Sequence, residues 1–252
     1  MYTTGGFLNI MRRNVSVEEI SDGRRYRAQD MVRIGTDGCR SCHDCCSMNP
    51  VIVLDPYDIW QLAAGPGLTL EAILNVTAEL RLIDGLILPV LKMKAPPQPA
   101  EPAAGTDPLE DEGNGVCPYL NSAGRCEIHQ SRPGICRLYP LGRAWEGDEF
   151  YYILQMNECT HCTGAKIKVK SWIGIRDLPA YESFCVRWHR LIARCHHLLE
   201  NEDGRSRLRN QVCMYLLRQF YLKEWNGSEE FSGQFETRLR EAFQDLGFSR
   251  EE

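Results

Sequence analysis

The sequence predicts an α+β fold: an irregular, cysteine-rich metal-binding core with short strands, followed by a helical C-terminal subdomain. Three observations predict it. Four thiols fall within the eight residues Cys39-Arg40-Ser41-Cys42-His43-Asp44-Cys45-Cys46. The rest of the first two thirds carries short apolar or β-branched runs bounded by turn residues, the pattern of brief strands. Beyond Lys168 the period changes: Tyr181, Phe184, Trp188, Leu191, Cys195 and Leu198 fall three and four apart, the stripe of an amphipathic helix.

Taken in order, residues 1–22 are polar and without a clear period. Arg24 to Ile34 reads as a short strand leading into the cysteine segment, and Val51-Ile52-Val53-Leu54 as a buried one. Asp55-Pro56 sets an N-cap with Pro at the first helical position, so a helix is expected from Pro56 to Ala64, broken by Gly65-Pro66-Gly67. Thr69 starts a second helix carrying Leu70, Ile73, Leu74 and Leu80, and Leu82 to Lys94 reads as one or two strands. Residues 95–115 alternate Pro with Ala, Gly and acids and hold almost no core-forming side chains, so they read as a flexible insertion. Asn121-Ser122-Ala123-Gly124 predicts a small hairpin, and Trp145 to Gln155 two strands about Glu146-Gly147-Asp148. After the long stripe, Leu208, Val212, Tyr215, Leu216 and Gln219 predict a second C-terminal helix. Phe231, Phe235, Leu239, Ala242, Phe243 and Leu246 predict a third. The expected division is a metal-binding domain over 1–165 and a helical subdomain packed on it over 166–252.

The chain has 252 residues, 43% of them hydrophobic, enough for one large domain or a domain with an appendage. A formal net charge of −5 argues against nucleic acid and against a basic membrane surface. The apolar run Gly5 to Met11 is short and precedes Arg12 and Arg13, the reverse of a signal peptide. No stretch approaches the roughly 20 apolar residues that span a bilayer. A cytoplasmic protein is expected, and in a reducing compartment its 12 cysteines read as ligands before disulfides.

Nine cysteines sit in motif-like settings: Cys39, Cys42, Cys45, Cys46, Cys117, Cys126, Cys136, Cys159 and Cys162. A C-x-x-C step lets two soft thiolates turn onto one metal, and a tetrahedral zinc or a cubane takes four. Nine could fill two such sites with one to spare. Adjacent side chains are expected to diverge, so Cys45 and Cys46 are expected to divide between two centres, or between two metals of one centre. A bound centre with four thiolates would carry negative charge, which Arg40, Arg125, Arg132, Arg137 and Arg143 are placed in sequence to offset. His129 is a ligand candidate, although a lone His is more often a hydrogen-bonding bystander. Cys185, Cys195 and Cys213 lie on helical stripes and read as buried small hydrophobes.

The order Cys-x2-Cys-x2-Cys-Cys, then Cys117-Pro118-Tyr119-Leu120, then Cys126-Glu127-Ile128-His129 with Arg132-Pro133 and Cys136-Arg137-Leu138-Tyr139-Pro140, resembles the YkgJ-type cysteine-cluster proteins, described as zinc- or iron-chelating. The cysteine pattern is also similar to flagellin lysine-N-methylase (FliB). That resemblance implies an iron–sulfur cluster and methyl transfer to lysine. Other chemistries find no motif: there is no C-x3-C-x2-C of radical-SAM enzymes, no dinucleotide fingerprint, no P-loop and no H-E-x-x-H. His196-His197 and the Arg205, Arg207, Arg209 patch read as solvated helix faces. The expected function is a metalloprotein with an iron–sulfur cofactor, of the four-iron type, in one or two centres. Its role would be protein modification or work with a protein partner. The alternative is a zinc- or iron-binding carrier, or a structural protein without catalysis.

Overall fold

The computed structural model describes residues 16–34, 43–47, 51–94, 115–159, 164–200 and 205–248. Cys39, Arg40, Cys42, Cys162 and all but the last residue of the Pro-rich insertion lie outside them. After the single turn Val17–Ile20 (α1), Met31–Arg33 (β1) pairs antiparallel with Lys166–Lys168 (β6), so the chain's early segment is tied across the expected 165/166 boundary. Asp44–Ser47 (α2) is one turn carrying Cys45 and Cys46. Asp55 caps Pro56–Ala64 (α3): its side chain accepts from the Asp58 N–H, while the Asp58 side chain accepts from the Asp55 N–H. Thr69 caps Leu70–Val76 (α4).

Ala78–Ile83 (β2) and Leu86–Leu91 (β3) form a hairpin in which Leu80 opposes Pro89. Pro has no N–H, so it suits a ladder position whose polar groups face away from β2. The Pro89 carbonyl accordingly accepts from Leu54 N at 2.9 Å, and Ile52 O accepts from Leu91 N at 2.9 Å. The Val51–Leu54 run thus lies against the far side of β3, with Ile52 and Leu54 buried and Val51 exposed. Leu141–Glu146 (β4) and Glu149–Leu154 (β5) make the hairpin expected about Gly147, whose φ is +61°. The short helix Gly134–Leu138 (α5) precedes β4 through a cis Tyr139–Pro140 peptide, and Val169–Ile173 (α6) follows β6.

The helical third consists of Leu178–Glu200 (α7), Arg205–Leu216 (α8) and Phe231–Asp245 (α9), with α8 running on into a π-helical stretch, Leu217–Leu222. That widened turn buries Leu217, Phe220 and Tyr221, and the Tyr221 hydroxyl donates to Leu54 O at 3.1 Å. Arg238, buried at 4% exposure, closes the end of the π stretch by donating to the carbonyls of Gln219, Lys223 and Glu224. Tyr57 and Trp60 of α3 meet Phe184 of α7 and Phe231 of α9 in one aromatic cluster, with Tyr57 and Phe231 edge to face at 5.0 Å. One hydrophobic core runs through both halves of the chain. Cys185, Cys195 and Cys213 belong to it, as their helical spacing predicts.

Three expectations change, the first being that the Val51–Leu54 run, expected as a strand, makes only an isolated bridge from Val53 to Val90. Leu80 belongs to β2 and not to the helix begun at Thr69, because Thr77 caps that helix and Lys92 N bonds to Thr77 O, starting the hairpin ladder there. The strand expected over Arg24 to Ile34 contracts to Met31–Arg33, with Tyr26 making only an isolated bridge to Tyr152. Arg27-Ala28-Gln29-Asp30 intervenes as a turn, closed by Asp30 N on Arg27 O and Arg27 N on the Asp30 carboxylate.

His189 on α7 is buried and stacks on Trp145 at 3.6 Å. Burial pushes its pKa down from 6.5 to about 4, against the pull of Asp148 and with the help of Arg190. The unfolded chain therefore takes up a proton first as pH falls, and stability contributed by neutral His189 is lost between pH 6.5 and about 4. Urea unfolding of His189→Phe against the parent should show the parent losing more stability across that window, and an equal pH dependence would contradict it.

Candidate metal centre

Cys45 and Cys46 are presented by the single turn α2, which Cys46 N closes on His43 O at 2.9 Å. The Cys46 carbonyl then accepts from Cys117 N at 2.7 Å, binding the first cysteine group directly to the second. Cys117 is fixed from its other side as well. Lys94 and Val116 exchange backbone hydrogen bonds at 2.8 Å, and Lys94 Nζ donates to Pro118 O at 2.8 Å. The insertion separates the two groups in sequence, yet Lys94 and Val116, the residues on either side of it, meet beside Cys117.

Cys126 lies across the turn predicted at Asn121–Gly124. Leu120 and Cys126 bridge, Asn121 N bonds to Arg125 O, and Gly124 takes φ +70°. The Gly124 position faces His43, which seats this turn on the first group. Cys136 rides on α5. The Asp58 carboxylate accepts from Gly134 N at 2.8 Å, so α3 sets where α5 begins. A Cβ at Gly134 would coincide with the Tyr181 hydroxyl, which explains the glycine in Arg132-Pro133-Gly134. Arg137 wraps the preceding loop, donating to the carbonyls of Arg132 and Gln130.

Cys45 and Cys117 act electrostatically on Cys46, Cys126 and Cys136, which places these five described thiols in one region. The Cys45 and Cys46 sulfurs are 4.0 Å apart, so these adjacent side chains meet and do not diverge as the sequence reading assumes. A tetrahedral zinc with Zn–S near 2.3 Å would set sulfurs roughly 3.8 Å apart, close to that spacing. The Cys46 thiol, hydrogen-bonded to Cys117 and Cys45 and half-buried, is pushed strongly up. Its two neighbours are drawn down to about 7: Cys45 by that bond and by Arg132, Cys117 by that bond, by backbone N–H donors and by Lys94, in both cases against burial. Burial raises Cys126 and, more strongly, Cys136.

Of the arginines expected to offset sulfur charge, Arg132 does so: its charge acts on Cys45, Cys126 and Cys136. Its buried Nε has no hydrogen-bond partner among the described residues. Arg137 is spent on backbone carbonyls, and Arg143 donates to the Tyr181 hydroxyl at 3.0 Å near Asp55, so neither serves the sulfurs as expected. His129 is exposed and its Nε2 lies 3.1 Å from Arg132 Nη1. The partial burial of its ring, Arg132 and Arg137 lower its pKa. Cys159 follows Glu158, whose carbonyl accepts the Tyr139 hydroxyl, and is not among the main charges acting on the other five. Sequence reasoning missed Lys94 and Asp58. Lys94 gives no local signal; the Asp55-Pro56-Tyr57-Asp58 box marks Asp58 as a cap but not as the acceptor for Gly134.

Among the described residues alone, no group of three or more His, Cys, Asp or Glu side chains is arranged to hold an ion. Cys39 and Cys42, the partners of Cys45 and Cys46 in the motif, lie outside those residues. The donor chemistry nonetheless fits a thiophilic metal: clustered thiols, with Lys94 and Arg132 beside them. No helix among the described residues is long and apolar enough to cross a membrane.

A family model described as "CxxCxxCC: putative zinc- or iron-chelating domain" matches residues 38–160, just under half of the chain. Those bounds take in the whole first group, the second group and Cys159. No curated protein and no solved structure matches the chain.

Gly134→Ala should displace Tyr181 or α5, lowering unfolding stability by about 1–3 kcal/mol. Adding Tyr181→Phe removes the atom in the way, and the double variant should regain part of the loss. A single variant as stable as the parent in urea unfolding would show that the site tolerates a methyl group.

Proposed function

We propose that the chain binds iron through this cluster, as an iron–sulfur centre ligated by thiolates of both cysteine groups. The observation that carries the reading is the convergence of Cys45 and Cys46 with Cys117, Cys126 and Cys136, sealed by the Cys46 carbonyl on Cys117 N at 2.7 Å. Cys39, Cys42, Cys159 and Cys162 supply further thiols from the same motifs. Together they exceed the four that one tetrahedral ion takes, which favours a cluster or more than one centre. An iron–sulfur centre would supply one-electron chemistry or a thiophilic scaffold. The protein's own groups hold the sulfurs together, and Arg132 and Lys94 offset their charge. The likeness to the methylase supports lysine methylation of a protein partner as the use of the centre. The unpaired state of the described cysteines suits a reducing, cytoplasmic setting.

A second reading, a zinc site, is favoured by the 4.0 Å spacing of the Cys45 and Cys46 sulfurs. Anaerobic purification with elemental analysis and an optical spectrum separates the two. The iron–sulfur reading expects iron with acid-labile sulfide and a brown absorbance that bleaches with dithionite. A colourless protein holding zinc would replace it with the second reading, and a protein holding neither metal would end both.

Substitution should track the cluster. Cys46→Ser and Cys117→Ser should each lower bound metal by at least about tenfold, whereas Cys195→Ser, in the helical core, should leave metal content unchanged. Equal metal loss in all three would point to unfolding and not to ligation.

A further inference from the structure

The ribbon of β1 and β6 carries an uncompensated basic face. Register fixes which side chains share it: Met31 pairs with Lys168, Val32 with Ile167 and Arg33 with Lys166. Val32 is fully buried and Ile167 packs against the core, which sets the inner face of the ribbon. Successive side chains alternate across a strand, so Met31, Arg33, Lys166 and Lys168 stand together on the outer face, where each is exposed. Lys170, next in that alternation, is exposed as well. Val169 N bonds to Asp30 O at 3.0 Å, which makes Asp30–Val169 and Val32–Ile167 the hydrogen-bonded pairs of the ladder. Arg33 and Lys166 therefore meet in a non-hydrogen-bonded pair, the position in which opposed side chains come closest. Like charges directly opposed across strands are unfavourable. Among the described residues no ion pair involves Arg33, Lys166, Lys168 or Lys170, and Arg33 donates to the Gly164 carbonyl at 3.4 Å. The carboxylate of Asp30, beside Met31 in the chain, is taken up by Arg27 N.

We propose that this face docks an acidic stretch of a partner protein, laid extended along the ribbon. The chain as a whole carries −5, so cations gathered on one small face reverse its field locally. Residues two apart on a strand, such as Lys166 and Lys168, are separated by about 6.6–6.8 Å. An extended partner with Asp or Glu at every second position presents its carboxylates at the same interval, and both backbones stay straight. Met31, 47% exposed, supplies a soft apolar contact among the charges. Nucleic acid fits less well. Its binding strength grows with the number of phosphates neutralised, and the outer face of the ribbon carries no aromatic side chain on which a base could stack. A contact of this kind is small and polar, the class that forms and parts readily, and opposite charge mainly speeds the encounter. The Arg33–Lys166 opposition destabilises the free fold, and a carboxylate placed between them relieves it. The surface uses none of the candidate metal ligands and stands whichever metal they hold.

Fluorescence anisotropy with the full chain under reducing conditions tests this, using a labelled peptide of alternating Glu and Thr as the probe. Binding is expected in the micromolar range at low ionic strength and should weaken as salt is added. Lys168→Glu should weaken it by about fivefold, whereas Arg81→Glu, an equal change of charge on β2, should leave it unchanged. Lys166→Glu should weaken it by a similar factor and yet raise the urea midpoint, because it sets an acid opposite Arg33. A labelled oligothymidylate of the same length serves as the rival probe. A peptide that fails to bind at low salt overturns the proposal. So do equal losses in Lys168→Glu and Arg81→Glu, or an oligothymidylate that binds more tightly than the peptide. A Lys166→Glu chain less stable than the parent overturns the register on which the face rests.

Discussion

The carboxylate of Asp58 is the point on which the arrangement of this molecule turns. It is 2% exposed and accepts from two backbone donors, Asp55 N at 3.1 Å and Gly134 N at 2.8 Å. The first bond starts α3, and the second starts α5, which carries Cys136. A buried carboxyl needs such donors, because desolvation disfavours its charge. Burial and the neighbouring Asp55 push the Asp58 pKa well up, while the two N–H donors and Arg143 pull the other way. This balance ties a helix start in the first part of the chain to the cysteine loop of the second. It also places Gly134 against Tyr181 of α7, where only a residue without a side chain fits.

Backbone hydrogen bonds hold the cysteine-bearing segments beside one another. Cys117 N on Cys46 O, the Lys94–Val116 bridge and the Leu120–Cys126 bridge each join segments that are far apart in sequence or turned back on themselves. Such bonds hold in a loop-rich region because they satisfy groups that would otherwise be buried unpaired. The cluster then concentrates acidity unevenly. The Cys46 thiol is pushed up while Cys45 and Cys117 are drawn down to about 7, each by its hydrogen bond with Cys46. A metal ion entering such a group displaces protons from soft ligands that are already gathered.

The helical third is a scaffold continuous with this region. Tyr221 reaches Leu54, Trp60 Nε1 donates to the carbonyls of Asn226 and Glu229, and β1 pairs with β6. The aromatic side chains of α3, α7 and α9 share one packed volume. Because α3 is both wall of that volume and anchor of α5, packing of the helices and placement of Cys136 are mechanically linked. The Val51–Leu54 run bonds along the side of the β2–β3 hairpin formed by β3.

The sequence by itself determined the elements whose signals are local. The capped start at Asp55-Pro56, the turn at Asn121–Gly124, the hairpin about Gly147 and the three-and-four spacing of the C-terminal helices depend on neighbours a few residues away. It also determined that Cys185, Cys195 and Cys213 fill the core, because their spacing is helical. Tertiary structure alone decided the rest. Leu80 left its helix for a strand because β3 offered a ladder. Arg143 was drawn to Tyr181 and the buried acids instead of to sulfur. Cys45 and Cys46 were brought to face each other and Cys117. Each of these outcomes depends on a partner distant in the chain, and pairing across such distances is set by burial and hydrogen-bond satisfaction, which no local pattern records.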